Sequence, residues 1–108
     1  MMMSKYRSKK ITDGGITFDS KKEHKRYQEL RLLVMGKAIK NLELQKKYPL
    51  EVNGFKICSY VADFDYDLLD GTHITEDVKS KMTAKLPVFR LKAKLFKATQ
   101  GYDITVYE

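Results

Sequence analysis

Apolar side chains recur along this chain with two different periods. Tyr27, Leu30, Leu33 and Val34 follow the spacing of one helix face, whereas Leu42 and Leu44 alternate with Asn41, Glu43 and Gln45 as in a strand. The first pattern predicts a helix from about Ser20 to Met35. Ser20 suits the N-cap, Glu23 completes a capping box, and Gly36 supplies the stop. The second predicts a half-buried strand from Ile39 to Tyr48, ended by Pro49. Asn53-Gly54 is a hairpin signal, and the segment from Phe55 to Tyr66, rich in β-branched and aromatic residues, reads as the next strand. Asp70-Gly71 marks a second turn before a third strand, Thr72 to Lys79. After a polar, basic connection from Ser80 to Leu86, Pro87 suits the first turn of a second helix with an apolar stripe of Val88, Leu91, Leu95 and Phe96. Gly101 ends that helix, and Tyr102 to Tyr107 is a closing strand.

Upstream of the first helix, Asp13-Gly14-Gly15 is a turn and Ile16-Thr17-Phe18 a short extended lead-in. The order helix, three antiparallel strands, helix, strand requires a crossover, so the expected class is α/β: a mixed sheet flanked by helices. No repeat or linker interrupts it. Residues 13–108 read as a single domain, preceded by a basic flexible arm over residues 1–12.

A length of 108 residues suits one core, and no apolar run reaches the roughly 20 residues a membrane helix needs. The opening Met1-Met2-Met3-Ser4-Lys5 lacks the apolar stretch of a secretory signal, so no membrane is expected and a cytoplasmic location is. The lone Cys58 has no internal disulfide partner and reads as a small apolar filler.

Charge changes the picture more than composition does. Net charge is +2 over residues 1–20, +5 over 21–40, −5 over 41–78 and +5 over 79–108, making +7 in all. An acidic middle between basic wings suits a protein that holds a cation at one spot and a polyanion around it. Solvated lysine-rich helix faces would give the same counts.

The densest constellation of candidate residues is Tyr60-Val61-Ala62-Asp63-Phe64, then a hairpin, then Thr75-Glu76-Asp77-Val78-Lys79. Alternation puts Asp77 and Lys79 on one side of their strand, and pairing around Asp70-Gly71 can bring Asp63 near them. Carboxylates meeting across a strand pair repel, and a hard divalent cation removes the conflict. Mg²⁺ takes carboxylate and water oxygens, so Asp63, Asp77, the main-chain carbonyl of Val78 and a substrate phosphate could complete its shell. Lys79 would orient the attacking water and offset developing charge. Glu76 points away from Asp77 and reads as auxiliary or solvent-facing. Asp65, Asp67 and Asp70 could simply solvate a hairpin and cap its turn, the favoured reading for Asp67 and Asp70. His24, on an exposed part of the first helix, and His73, near a hairpin, have no partner at metal-ligand spacing, which argues against zinc. There is no Ser-His-Asp arrangement and no glycine-rich phosphate loop. Glu23 lies at the leading end of the apolar helix face, where helix capping and cation binding account for it equally.

Lys5-Tyr6, Phe18-Asp19-Ser20-Lys21-Lys22-Glu23, Asn41-Leu42-Glu43-Leu44-Gln45, Ala62-Asp63-Phe64, Glu76-Asp77-Val78-Lys79 and Lys94-Leu95-Phe96 occur in that order. As an ordered set they resemble a family of small phage and prophage proteins, long described as of unknown function and assigned to the PD-(D/E)XK nucleases. The chain is more distantly similar to the TnsA transposase endonuclease and to Holliday-junction resolvases. The resemblance runs from about Lys5 to the end and implies a restriction-endonuclease-like core. It implies Asp63 as the acid of the first motif, Asp77 and Lys79 as acid and lysine of the second, and Glu23 as the acid some members carry on the first helix. Gln45 would correspond to a strand glutamine of the TnsA-like pattern. Ala62 stands where the superfamily's name has proline. The implied activity is Mg²⁺-dependent (or Mn²⁺-dependent) hydrolysis of branched or structured DNA in phage recombination or replication. A homodimer is expected if both strands are cut. Lys5, Arg7, Lys9 and Lys10 in the arm, with Lys81 and Lys85 in the connection, are candidate phosphate contacts. The competing reading is a DNA-binding module without cleavage, built around a vestigial site.

Overall fold

Ser20 accepts the Glu23 main-chain N–H on its hydroxyl at 3.1 Å, and helix α1 (Lys21–Met35) starts there, as the capping pattern predicts. The structure, a computed structural model, describes residues 10–108. Lys5, Arg7 and Lys9 lie outside the described residues. Strands β1 (Ile11–Asp13) and β2 (Ile16–Phe18) form a small antiparallel hairpin, so Ile11 and Thr12, read from sequence as the end of the arm, are strand. Its turn runs through Gly14 and Gly15 at φ 58° and 84°, which only glycine adopts freely.

The main sheet has β3 (Ile39–Val52), β4 (Phe55–Leu68), β5 (His73–Val78) and β6 (Thr105–Tyr107), in that spatial order. The first three are antiparallel neighbours, and β6 pairs in parallel with β5 after the crossover through helix α2 (Pro87–Gln100). The α/β class and the element order match the sequence reading. Pro49 does not end its strand as expected: it lies within β3, paired with Ser59. Among the described residues β3 is an edge of the sheet, where a residue without an N–H is tolerated.

Two apolar clusters hold the helices to the sheet. Phe18, Tyr27, Leu30, Ile39, Phe64 and Tyr66 pack together at α1, and Leu50, Tyr60, Ala62 and Phe96 at α2. Regular alternation would keep Tyr60, Ala62, Phe64 and Tyr66 on one face of β4. Instead the strand changes allegiance between Ala62 and Phe64. The β3–β4 ladder passes from Leu44↔Phe64 to Lys46↔Ala62 without pairing Gln45 and Asp63, and Gln45 sits at φ 53°. Such an irregularity bends a strand and re-aims its side chains.

Both helices bury less of their expected stripes than periodicity suggests. Tyr27 and Leu30 are buried on α1, but Leu33 and Val34 are exposed. On α2, Val88 and Leu91 are 67% and 68% exposed. The helix is turned by Phe96, whose ring meets Tyr48, Tyr60 and Tyr102 edge-on at 5.1, 5.5 and 5.2 Å. Aromatic burial outweighs an aliphatic stripe of similar length.

Candidate functional site

Because Phe64 pairs with Glu76, continuing the β4–β5 register places Asp63 opposite Asp77. Asp63 accepts the Val78 main-chain N–H on Oδ2 at 2.8 Å. Asp77, 4% exposed, accepts the Tyr60 hydroxyl at 2.9 Å, and Lys79 Nζ lies 3.6 Å from the same Asp77 oxygen. Burial, and then the Asp77 carboxyl beside it, push the Asp63 carboxyl up to about 8, against the lowering influence of the Val78 N–H. Burial and the Asp77 carboxylate raise the Tyr60 phenol as well, so it stays protonated and donates.

The chain therefore brings together the three residues named from sequence, Asp63, Asp77 and Lys79. Val78 enters through its N–H. Lys79 is held at both ends: its N–H donates to the Tyr107 carbonyl at 3.0 Å, its carbonyl accepts from Lys22 Nζ at 2.9 Å, and its ammonium lies 4.8 Å from the Phe89 ring centre. Lys22 and Phe89 carry no sequence signal that singles them out from neighbouring lysines and aromatics.

Two cavities adjoin at Lys79 and Thr83. One, of about 360 Å³, is bounded by Asp19, Ser20, Lys22 and Glu23 of the α1 start and by Ser80 and Met82. The other, of about 390 Å³, contains Asp63 and Asp77. Glu23 thus stands across Lys79 from the acid pair. It is 7% exposed and receives the Gln45 side-chain amide on its carboxylate at 3.3 Å. Its carboxyl is raised, first by burial, then by Asp19 and Asp77, with Lys79 opposing. The capping bond at Ser20 uses the Glu23 main chain, which leaves the side chain to the site. Lys81 and Lys85 are exposed on the segment bordering both cavities, and Lys10 is exposed at the start of the described chain.

Three sequence readings change. Glu76 is not solvent-facing: it is 1% exposed and receives Arg26 and the Tyr66 hydroxyl. Asp65 is buried, accepting from Tyr48 and Thr75 with a His73 ring nitrogen 2.6 Å away, so it does not solvate a hairpin. His24 is partly covered, 3.0 Å from Asp13. Each polar group is satisfied inside a strand pair or helix contact that hydropathy cannot reveal.

Among the described residues no group of three or more His, Cys, Asp or Glu side chains is placed to hold a metal ion. The donor set that does converge is the carboxyl groups of Asp63 and Asp77, and Mg²⁺ commonly takes only one or two protein carboxylates, completing its shell with water and phosphate. Asp63 and Asp77 fit such an ion. No helix among the described residues is long and apolar enough to cross a membrane. A family model described as "Protein of unknown function (DUF1064)" matches residues 3–106. No curated protein matches the chain, and no solved structure does.

Proposed function

This chain belongs to the DUF1064 family, and from its site we propose that it is a Mg²⁺-dependent DNA endonuclease acting on branched or structured DNA. The observation that carries the reading is the half-buried Asp63 meeting the buried Asp77 with Lys79 beside them, an arrangement that is costly without a cation and useful with one. The ordered motif resemblance to PD-(D/E)XK nucleases supports the same reading, as does the excess of lysine and arginine on both sides of the acidic segment.

Asp63 and Asp77 would hold the ion through carboxylate oxygens, oriented by the Val78 N–H and the Tyr60 hydroxyl. Bound Mg²⁺ would supply Lewis-acid polarisation of the phosphate and a water easier to ionise. Lys79 offsets negative charge developing on the phosphate oxygens. Glu23, with its carboxyl raised, is suited to accept the proton of the attacking water. Lys10, Lys81 and Lys85 contact flanking phosphates, as do Lys5, Arg7 and Lys9 of the arm. Cutting both strands of a branched substrate needs two centres, hence a homodimer, working in the cytoplasm of the cell whose DNA or phage it processes.

Incubating the protein with supercoiled plasmid and with a four-way junction tests this directly. Cleavage is expected in Mg²⁺ or Mn²⁺, with binding but little cutting in Ca²⁺. Full activity in excess chelator, or in Asp77→Ala, would discard the reading.

A further inference from the structure

The cavity that holds Asp63 and Asp77 has a second, apolar wall. Val61 is 45% exposed and Leu86 50%; with Val88 and Phe89 they rise beside the acid pair. Phosphate gains nothing from such a surface. The part of a nucleotide that does is its base, whose flat faces are apolar. At about 390 Å³ the cavity falls at the small end of the roughly 300–1,000 Å³ range for ligand pockets, room for a single base with its sugar. Lys79 lies on the same cavity, and Lys92, whose Nζ donates to the Ser59 carbonyl at 3.0 Å, lies at its rim, so cationic groups border the apolar wall as a base linked to phosphates requires.

A base inside a duplex has both faces stacked and cannot reach this wall while its phosphate sits at the acids. It reaches the wall only when unpaired and turned out of the stack. Resting on the nuclease reading above, we propose that the Val61–Leu86–Val88–Phe89 wall receives an unpaired nucleobase adjoining the phosphate held at Asp63 and Asp77. The wall thereby selects DNA with an unpaired nucleotide at the cleavage point, such as a bulge or branch, over continuous duplex.

The test compares a duplex carrying one unpaired nucleotide with the fully paired duplex, in Mg²⁺ for cutting and in Ca²⁺ for binding. Cutting beside the unpaired nucleotide should be at least about tenfold faster, in keeping with the affinity a single base stack contributes. Replacing that nucleotide by an abasic sugar should remove most of the preference. So should the double variant Leu86→Ser, Val88→Ser, whose two positions are exposed and leave the core intact. In Ca²⁺, 2-aminopurine at the unpaired position should change fluorescence on binding in wild type and not in the double variant. Equal cutting of both duplexes with no fluorescence change would overturn the pocket and leave the nuclease standing. A fluorescence change without any metal-dependent cutting would keep the pocket and overturn the nuclease. If the double variant instead shifts from dimer to monomer in light scattering with its preference intact, the wall is a contact between copies and the inference is wrong.

Discussion

Arg26 grips Glu76 through two parallel hydrogen bonds, Nε to one carboxylate oxygen and Nη2 to the other, each 2.8 Å long. Tyr66 adds its hydroxyl to the same carboxylate at 2.8 Å, and the guanidinium stacks over Tyr107 at 4.3 Å from the ring centre. The hydrogen bonds to Glu76, and then its charge, hold the Arg26 pKa above its ordinary value against the opposing effect of burial. This ties α1 to β5 one helical turn from Glu23 and one residue from Asp77. Removing one partner leaves the other buried and unpaired, which typically costs about 3–5 kcal/mol. Arg26→Ala and Glu76→Ala should each lower the urea midpoint accordingly, whereas the paired change Arg26→Met with Glu76→Leu should recover much of the loss. Midpoints unchanged in both single variants would show that the pair contributes nothing to stability.

Without metal, stability should depend on pH in a particular direction. The Asp63 carboxyl is raised from an ordinary value near 3.8 to about 8, so the folded state keeps a proton that the unfolded chain releases. Its contribution is fully present below about pH 4 and lost as pH rises through about 8, and Glu23, also raised, acts in the same sense. Melting in chelator should therefore worsen across that window, and Asp63→Asn should flatten the curve. Mg²⁺ should raise the melting temperature at pH 8 more than at pH 5, since at low pH it must displace the proton. A wild-type curve that rises between pH 5 and 8, unaltered by Asp63→Asn, would contradict this.

Lys79 is proposed to act on charge that appears only in the transition state, so Lys79→Ala should cost far more in cleavage rate than in DNA affinity. Single-turnover cutting in Mg²⁺ and binding in Ca²⁺ separate the two quantities. A variant that loses affinity alone would make Lys79 one more phosphate contact.

Glu23→Gln asks whether the helix acid needs its charge. Capping at Ser20 uses the Glu23 main chain, and an amide can still pair with Gln45, so the melting temperature should hold within the few degrees that about 1 kcal/mol represents in a domain of this size. Cutting should nevertheless slow at least about tenfold, roughly 1.4 kcal/mol. Wild-type cleavage by the stable variant would return Glu23 to a structural role.

The elements were legible because their punctuation is local: Ser20, Asn53-Gly54, Asp70-Gly71, Pro87 and Gly101 each act within a few residues. The meeting of Asp77 with Lys79 followed from alternation alone. That of Asp63 with Asp77 needed the hairpin register, which β4 and β5 fix through their pairing. What sequence did not give depends on contacts between distant segments. Glu76 looked solvent-facing because its partner Arg26 lies 50 positions earlier, and Val88 and Leu91 looked buried until Phe96 set the rotation of α2. The irregular backbone at Gln45 leaves no residue signature either, because glutamine has no particular preference for positive φ.

The outer edge of β3 has a consequence for how this protein behaves in a crowded solution. Among the described residues this edge of 14 residues has no partner strand, and such an edge ordinarily invites another strand to add to it, the first step of edge-to-edge aggregation. Here the edge is broken at regular intervals: Asn41 and Gln45 adopt φ 57° and 53°, and Pro49 has no N–H to offer. No stretch longer than three residues between these breaks presents an unbroken run of donors and acceptors. The departure at Gln45, opposite Asp63 in the β3–β4 register, thus also helps deny an incoming chain a template.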